Sequence, residues 1–280
     1  MTTQDFSVPG ASCTIWHDGP IWQGTPAATI GRLQIGNPQA GTALLERVMA
    51  ALADAGHTAV LAPMDGDTWH NYRAVIGSDG SAPFALEPVS GPHDLAVLRA
   101  ARFVVAEEYA SARAPVPAPG SHSPDVPGVT VTAWDGTGRD QLIAQLHAYA
   151  AGSFSDKLFF KPMDKAGFRA LYNPLLAQLD PRLVFFAHET GGGLAGFLFG
   201  YPDFAQGQQP AQAILKTYAA TRKGVGRLLA WHFHETAREL GYTHVVHALM
   251  HSANSSLKSS GLFDGSVFRR YGVLVKQLTP

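Results

Sequence analysis

At 280 residues, 46% hydrophobic and 15% charged, the chain is long enough for one large core or two smaller ones. A formal net charge of −1 gives no electrostatic drive toward nucleic acid or an anionic membrane, so neither is expected as a partner. The single Cys13 excludes an intrachain disulfide and fits a reducing compartment. The start MTTQDFSVPG lacks the basic-then-apolar pattern of a signal peptide, and no apolar run reaches about 18 residues. A cytoplasmic protein is expected.

Residues 12–17 and 27–35 read as strands, and Asn37-Pro38 breaks the second. Residues 42–55 read as a helix with Leu44, Leu45, Val48, Met49 and Leu52 on one face; Gly56 ends it, and residues 58–62 return as a strand. The polar and aromatic stretch 65–73 reads as an Asp/Gly turn with Trp69 and Tyr72 packed at a domain interface, a substrate-facing loop being the alternative. Residues 83–87 are expected as a short strand, 94–101 as a helix and 103–111 as a strand. Residues 114–128, APVPAPGSHSPDVPG, have no periodicity and read as an extended linker.

The second half opens with a strand at 129–134, helices at 139–151 and 165–179, and a Phe-rich loop at 152–164. Strands at 182–188 and 194–201 flank a Gly191-Gly192-Gly193 hairpin turn. Then comes a strand at 214–219, a turn Thr221-Arg222-Lys223-Gly224-Val225-Gly226, and a helix whose apolar face carries Val225, Leu228, Leu229, His232, Phe233, Ala237 and Leu240. Gly241 takes the C′ position, and the chain returns as a strand at 243–250.

This order repeats an earlier one. Displaced by 185 residues, Gly41 falls on Gly226, Leu44 on Leu229, Gly56 on Gly241, Thr58 on Thr243 and Val60 on Val245. Gln39 and Pro38 fall where Gly224 and Lys223 stand, so the first copy lacks the glycine and the cation.

The first N–H groups of a helix have no intrahelical acceptor and carry partial positive charge. Gly224 and Gly226 let a phosphate approach that backbone, and Arg222, Lys223 and Arg227 surround it with cations, which makes a pyrophosphate cradle. It is not a Walker loop, and Leu229 stands at the third glycine position of a dinucleotide fingerprint.

Four features resemble motif A and the adjoining C-terminal part of the GNAT superfamily of acyl-CoA-dependent N-acyltransferases. They are the turn, the strand end His247-Ala248-Leu249-Met250, Asn254 opening a short helix, and Phe268-Arg269-Arg270-Tyr271 entering a last strand. The resemblance implies an α/β (α+β) fold with a mixed, mostly antiparallel sheet flanked by helices, in two tandem GNAT-like units. The first, residues 10–113, is shortened and degenerate; the linker is 114–128, and the acyltransferase unit is 129–280. It implies acetyl-CoA as co-substrate and no metal. Pantetheine would lie along Thr217, Tyr218 and Ala219, the pyrophosphate on Arg222, Lys223, Gly224, Val225, Gly226 and Arg227, and the CoA arm against Asn254. Phe154, Phe159, Phe160 and Met163 would line the acceptor pocket. Tyr271 leads as the catalytic acid with Tyr218 as alternative; His188, Glu189 and His251 are candidate bases. The implied reaction is transfer of an acyl group, acetyl first, to the primary amine of a small molecule, by a monomer or homodimer. Thr221 in place of the family's Arg or Gln, and Gly261 where a tyrosine is common, point to the alternative: a protein that binds CoA or a small molecule without turnover. His232 and His234, two apart on a helix, cannot share an ion.

Overall fold

The computed structural model describes residues 2–117, 122–154, 157–176 and 179–278. Part of the expected linker, the end of the helix expected to reach residue 179, and the side chain of Phe154 lie outside them.

The first unit contains β1 (Thr3–Val8), β2 (Ala11–Trp16), β3 (Ile21–Trp22), β4 (Thr25–Pro26), β5 (Ala28–Ile35), α1 (Pro38–Asp54), β6 (Ala59–Ala62), β7 (Ala74–Ser78), α2 (Asp94–Ala100) and β8 (Val104–Pro115). The second contains β9 (Val129–Ala133), α3 (Arg139–Phe154), α4 (Lys165–Leu176), β10 (Val184–Glu189), β11 (Leu194–Pro202), β12 (Gln212–Ala220), α5 (Val225–Glu239), β13 (His244–His251), α6 (Ser255–Gly261) and β14 (Ser266–Gln277). One twelve-stranded sheet runs β1-β2-β5-β6-β14-β8-β13-β12-β11-β10-β9, with β7 also paired to β14. Its neighbours are antiparallel except for β5–β6 and β12–β13. The expected mixed, mostly antiparallel sheet flanked by helices is what the chain forms.

The internal repeat is structural. In each unit a strand, a helix and a parallel strand occur in order: β5-α1-β6 and β12-α5-β13. Each then has a seven-residue helix, α2 or α6, and a twelve-residue last strand, β8 or β14. Those last strands are exchanged. β14 pairs with β6 of the first unit and β8 with β13 of the second, while β8 and β14 pair with each other.

The cores adjoin the sheet's faces. Helices α1 and α2 cover one side of the first unit through Leu44, Leu45, Val48, Leu52 and Leu98 against Ile15, Ile30 and Val60. Helix α5 packs Leu229 and Phe233 on Leu198 and Leu215. Helices α3 and α4 cover the opposite face, with Leu142, Ile143 and Phe168 against Phe197, Phe199 and Tyr201. Phe233 has no exposed surface, and truncating such a ring costs about 3–5 kcal/mol.

Three expectations change. Residues 83–87 form no strand: Pro83 and Pro88 withhold ladder donors, and the Phe84 amide donates to the Glu87 side chain in a turn. Helix α1 begins at Pro38, not residue 42, because Asn37 Oδ1 accepts from the Ala40 amide at 2.9 Å and proline suits the first helical position. On α5 the buried histidine is His234; His232 is half-buried. Among the described residues no helix is long and apolar enough to cross a membrane.

Candidate active site

The parallel pairing of β12 with β13 stops at Leu215↔His247, although β12 continues to Ala220 and β13 to His251. Both strands are irregular there. On β12 the register against β11 shifts between Phe199 and Gly200, leaving Lys216 as an extra residue. On β13 the register against β8 shifts between His247 and Met250, with Leu249 at φ 57° and its amide donating to Ser111 Oγ at 3.1 Å. Bulges increase local twist and turn strands aside. The splay leaves the edge of β12 past Leu215 without a strand on its β13 side.

A cavity of about 1000 Å³ fills this region. Thr217 and Tyr218 of β12, residues 248–251 of β13 and Asn254 line one side. Phe160, Phe168, Tyr172, Phe199 and Tyr201 make an aromatic wall. The first unit closes it with residues 68–73, Glu87, Glu107 and Tyr109. The 65–73 stretch packs between the units, where Trp69 Nε1 donates to Lys161 O at 2.7 Å, and it also lines the cavity.

The turn before α5 lies on the surface. Gly224 has φ 92° at the N-cap, a left-handed conformation suited to glycine, and no side chain caps the helix. A Cβ on Gly226 would lie 3.0 Å from the Tyr218 ring. Arg222, Lys223 and Arg227 are exposed. Residues 221–227 do not line the cavity; they flank it through Tyr218. The matching end of α1 has its donors taken by Asn37 and removed by Pro38. Asn254 caps α6 by backbone only, which leaves its side chain uncommitted at the cavity wall.

The structure sorts the proposed acid and bases. Tyr271 is fully buried and off the cavity wall; its hydroxyl donates to Glu87 Oε1 and lies 3.0 Å from Ser111 Oγ. Burial and the Glu87 carboxylate push its pKa up. This removes the Tyr271 hydroxyl from direct contact with anything in the cavity. Tyr218 is on the wall, its pKa also raised by burial, with Ser259 hydrogen-bonded to its hydroxyl. His188 and Glu189 sit at the β10–β11 hairpin, away from the cavity. His251 is on the wall: its Nδ1 accepts from the Ala253 amide at 3.1 Å, and its Nε2 donates to Glu107 Oε2 at 2.6 Å. In that tautomer the imidazole orients the Glu107 carboxylate. Of the proposed pocket aromatics, Phe160 lines the cavity; Phe159 stacks on Trp22 in the first unit, and Met163 packs on the α3–α4 core.

Sequence reasoning missed Arg73, Glu107 and Lys216. Lys216 had a signal: it is a lone cation inside the apolar run AILKTY. Burial and then the Arg73 charge lower its pKa to about 7, with Glu87 opposing. Arg73 is buried against the rings of Tyr72 and Tyr109, at 3.9 and 3.7 Å from their centroids. His247 is turned inward: its Nε2 meets His234 Nε2 at 2.8 Å and its Nδ1 meets Ser260 Oγ at 2.7 Å.

No protein-family model matches the sequence, and no curated protein matches it. Solved structures do. A GCN5-related N-acetyltransferase from Sphaerobacter thermophilus superposes with a TM-score of 0.61 at 12% identity, over 97% of this chain and 78% of that one. A tandem GNAT protein from the clavulanic acid biosynthesis pathway gives 0.58 at 15% identity, over 100% and 84%. A probable N-acyltransferase from Enterococcus faecalis gives 0.55 at 9%, over 99% and 62%. With its repeated strand-helix-strand units, splayed parallel strands and one continuous sheet, the chain has a tandem GNAT fold.

Proposed function

We propose that the protein is an N-acyltransferase that moves an acyl group, acetyl in the simplest case, from acyl-CoA to the primary amine of a small molecule. The observation that carries this is the splay of β12 from β13 past Leu215 and His247, opening onto the large cavity. Pantetheine lies along the free backbone edge at Thr217, Tyr218 and Ala219, as an added strand would. The pyrophosphate sits on the uncapped N-terminus of α5 between Arg222, Lys223 and Arg227. Asn254 faces the CoA arm. The acceptor occupies the aromatic part of the cavity.

The groups present then define the chemistry. The amine lone pair attacks the thioester carbonyl, and a backbone N–H on the β12 edge stabilises the oxyanion. Glu107, oriented by His251, takes the ammonium proton as base. The C–S bond breaks, and Tyr218 is placed to donate a proton to the thiolate. Tyr271 acts from behind the wall as a positioning residue through Glu87 and Ser111. Acyl-CoA use and a single buried thiol fit a cytoplasmic setting.

Titration calorimetry with acetyl-CoA, beside ATP and NAD, tests the first half of the reading. Thiol release over a panel of amines tests the second. Binding of acetyl-CoA without release for any amine would favour the second reading, a binding protein on this fold, which Thr221 and the enclosed Tyr271 support. No binding of acetyl-CoA would overturn the acyltransferase reading and leave only a small-molecule-binding protein on this fold.

A further inference from the structure

Two cations meet in the cavity without an anion to hold. Arg73 is 6% exposed, lines the cavity, and has no carboxylate partner among the described residues. Its Nε lacks any hydrogen-bond partner. A buried guanidinium without a carboxylate is expensive, and the ring faces of Tyr72 and Tyr109, with a hydrogen bond to the Tyr109 side chain, offset only part of the cost. Its backbone is held at φ 87°, with the amide donating to Pro63 O at 3.1 Å, so the loop delivers this side chain inward at some strain.

Lys216 comes to the same place from the other unit. It is the extra residue of the β12 bulge, beside Thr217, and it lines the same cavity without a hydrogen bond or ion pair among the described residues. The Arg73 charge is close enough to oppose protonation of Lys216. Glu87, the carboxylate that favours the Lys216 ammonium, is already committed: Oε2 accepts from Arg269 and the Phe84 amide, and Oε1 from Tyr271. Glu107 is held by His251. The two cations therefore stand on a largely aromatic wall without a carboxylate of their own among the described residues.

We propose that Arg73 and Lys216 form an anion subsite that seats a carboxylate of the acceptor, so that the acceptor is an amino-acid-like molecule: a carboxylate, an amine and an apolar or aromatic body. The guanidinium supplies a fixed charge that stays protonated, and Lys216 adds a point charge on the same cavity wall. The aromatic wall of Phe168, Tyr172 and Phe199 takes the body. The assignment of this anion to the acceptor rests on the acyltransferase reading; the existence of the subsite does not.

Calorimetry on the full chain tests it with 3-phenylpropanoate, its neutral amide 3-phenylpropanamide, and phenylalanine. The acid is expected to bind wild type, with the amide about tenfold weaker or worse. Lys216→Met should weaken the acid about tenfold and leave the amide unchanged, while Lys216→Arg keeps the acid. Acetyl-CoA titrated into Lys216→Met reports that the cavity is intact; if that variant fails to fold, the acid–amide comparison in wild type and Lys216→Arg decides alone. Equal binding of acid and amide, or acid binding indifferent to Lys216→Met, would overturn the subsite. A wild-type preference for succinyl-CoA over acetyl-CoA that Lys216→Met loses would overturn its assignment to the acceptor and place the carboxylate on the acyl group. Failure of acetyl-CoA to bind any form would remove the acyltransferase reading and leave the subsite to the acid–amide comparison.

Discussion

Tyr109 and Tyr271 face each other across the β8–β14 ladder and hold the same position in the two exchanged strands. Their surroundings differ. Tyr109 lies under the Arg73 guanidinium on the cavity wall, while Tyr271 is enclosed with its hydroxyl on Glu87. One copy faces the cavity and the other holds the scaffold. Tyr271→Phe is therefore expected to cost about 1.5–3 kcal/mol of stability, as for a hydrogen bond to a charged group, and to leave kcat within about threefold. Glu87→Ala strands the buried Arg269 and should cost about 3–5 kcal/mol. Denaturant unfolding beside thiol-release assays separates the two quantities; a loss of kcat in Tyr271→Phe at unchanged stability would return Tyr271 to the chemistry.

Glu107→Gln keeps shape and loses the base. Its kcat should fall about 10²- to 10⁴-fold with acetyl-CoA affinity unchanged. His251→Gln should fall less, because it disturbs only the orientation of the carboxylate. A Glu107→Gln enzyme at full rate would move the base elsewhere.

Gly224→Glu places a Cβ on a backbone at φ 92° and a negative charge where the pyrophosphate is expected. Acetyl-CoA affinity should fall by about tenfold or more, measured by calorimetry. Affinity should also fall with salt, because Arg222, Lys223 and Arg227 are exposed. Unchanged affinity in Gly224→Glu would place the pyrophosphate away from this turn.

His234 and His247 are buried, and desolvation lowers their pKa values from 6.5 to about 3 and about 4. The unfolded chain binds protons below pH 6.5 that the folded chain refuses, so stability is full above 6.5 and declines as pH falls toward about 4. The slope is about 1.4 kcal/mol per pH unit for each histidine. Thermal unfolding from pH 7.5 to 4.5 should show it, and His234→Gln should flatten it.

Lys216 sets a pH window on anion binding. Its pKa of about 7 in the free protein means that the ammonium is progressively lost above pH 7, whereas Arg73, at about 10, stays charged. The other ionisable groups on this cavity wall are Asp65, His70, Tyr72, Glu87, Glu107, Tyr109, Lys157, Tyr172, Tyr201, Tyr218, His247 and His251. Affinity for 3-phenylpropanoate should fall between pH 6.5 and 9, and that for its amide should not. Lys216→Arg should abolish the dependence.

Much of the fold is legible in local pattern. Helical spacing and Gly241 mark α5, and two apolar runs flanking a glycine turn mark β10 and β11, because those signals arise from neighbours in the chain. The α5 turn and Asn254 are legible for the same reason. Pro38 misleads, because the residue that ends a strand also opens a helix. The exchanged strands, the bulge at Lys216 and the pairing of Glu107 with His251, 144 positions apart, join segments distant in the chain, and no local window contains them. Arg73 shows the same limit: its neighbours in sequence predict a loop, and only the fold sets it beside β12.

The exchange of β8 and β14 ties the fate of each copy to the other. Chains ending at residue 117 and starting at residue 122 would each miss a central strand, β6 and β7 losing β14, and β13 losing β8. Such fragments are candidates for complementation, inert apart and competent once mixed. Because the two units have traded strands, the first cannot be removed without opening the sheet beside the second, and the cavity wall that Arg73 and Glu107 supply would go with it.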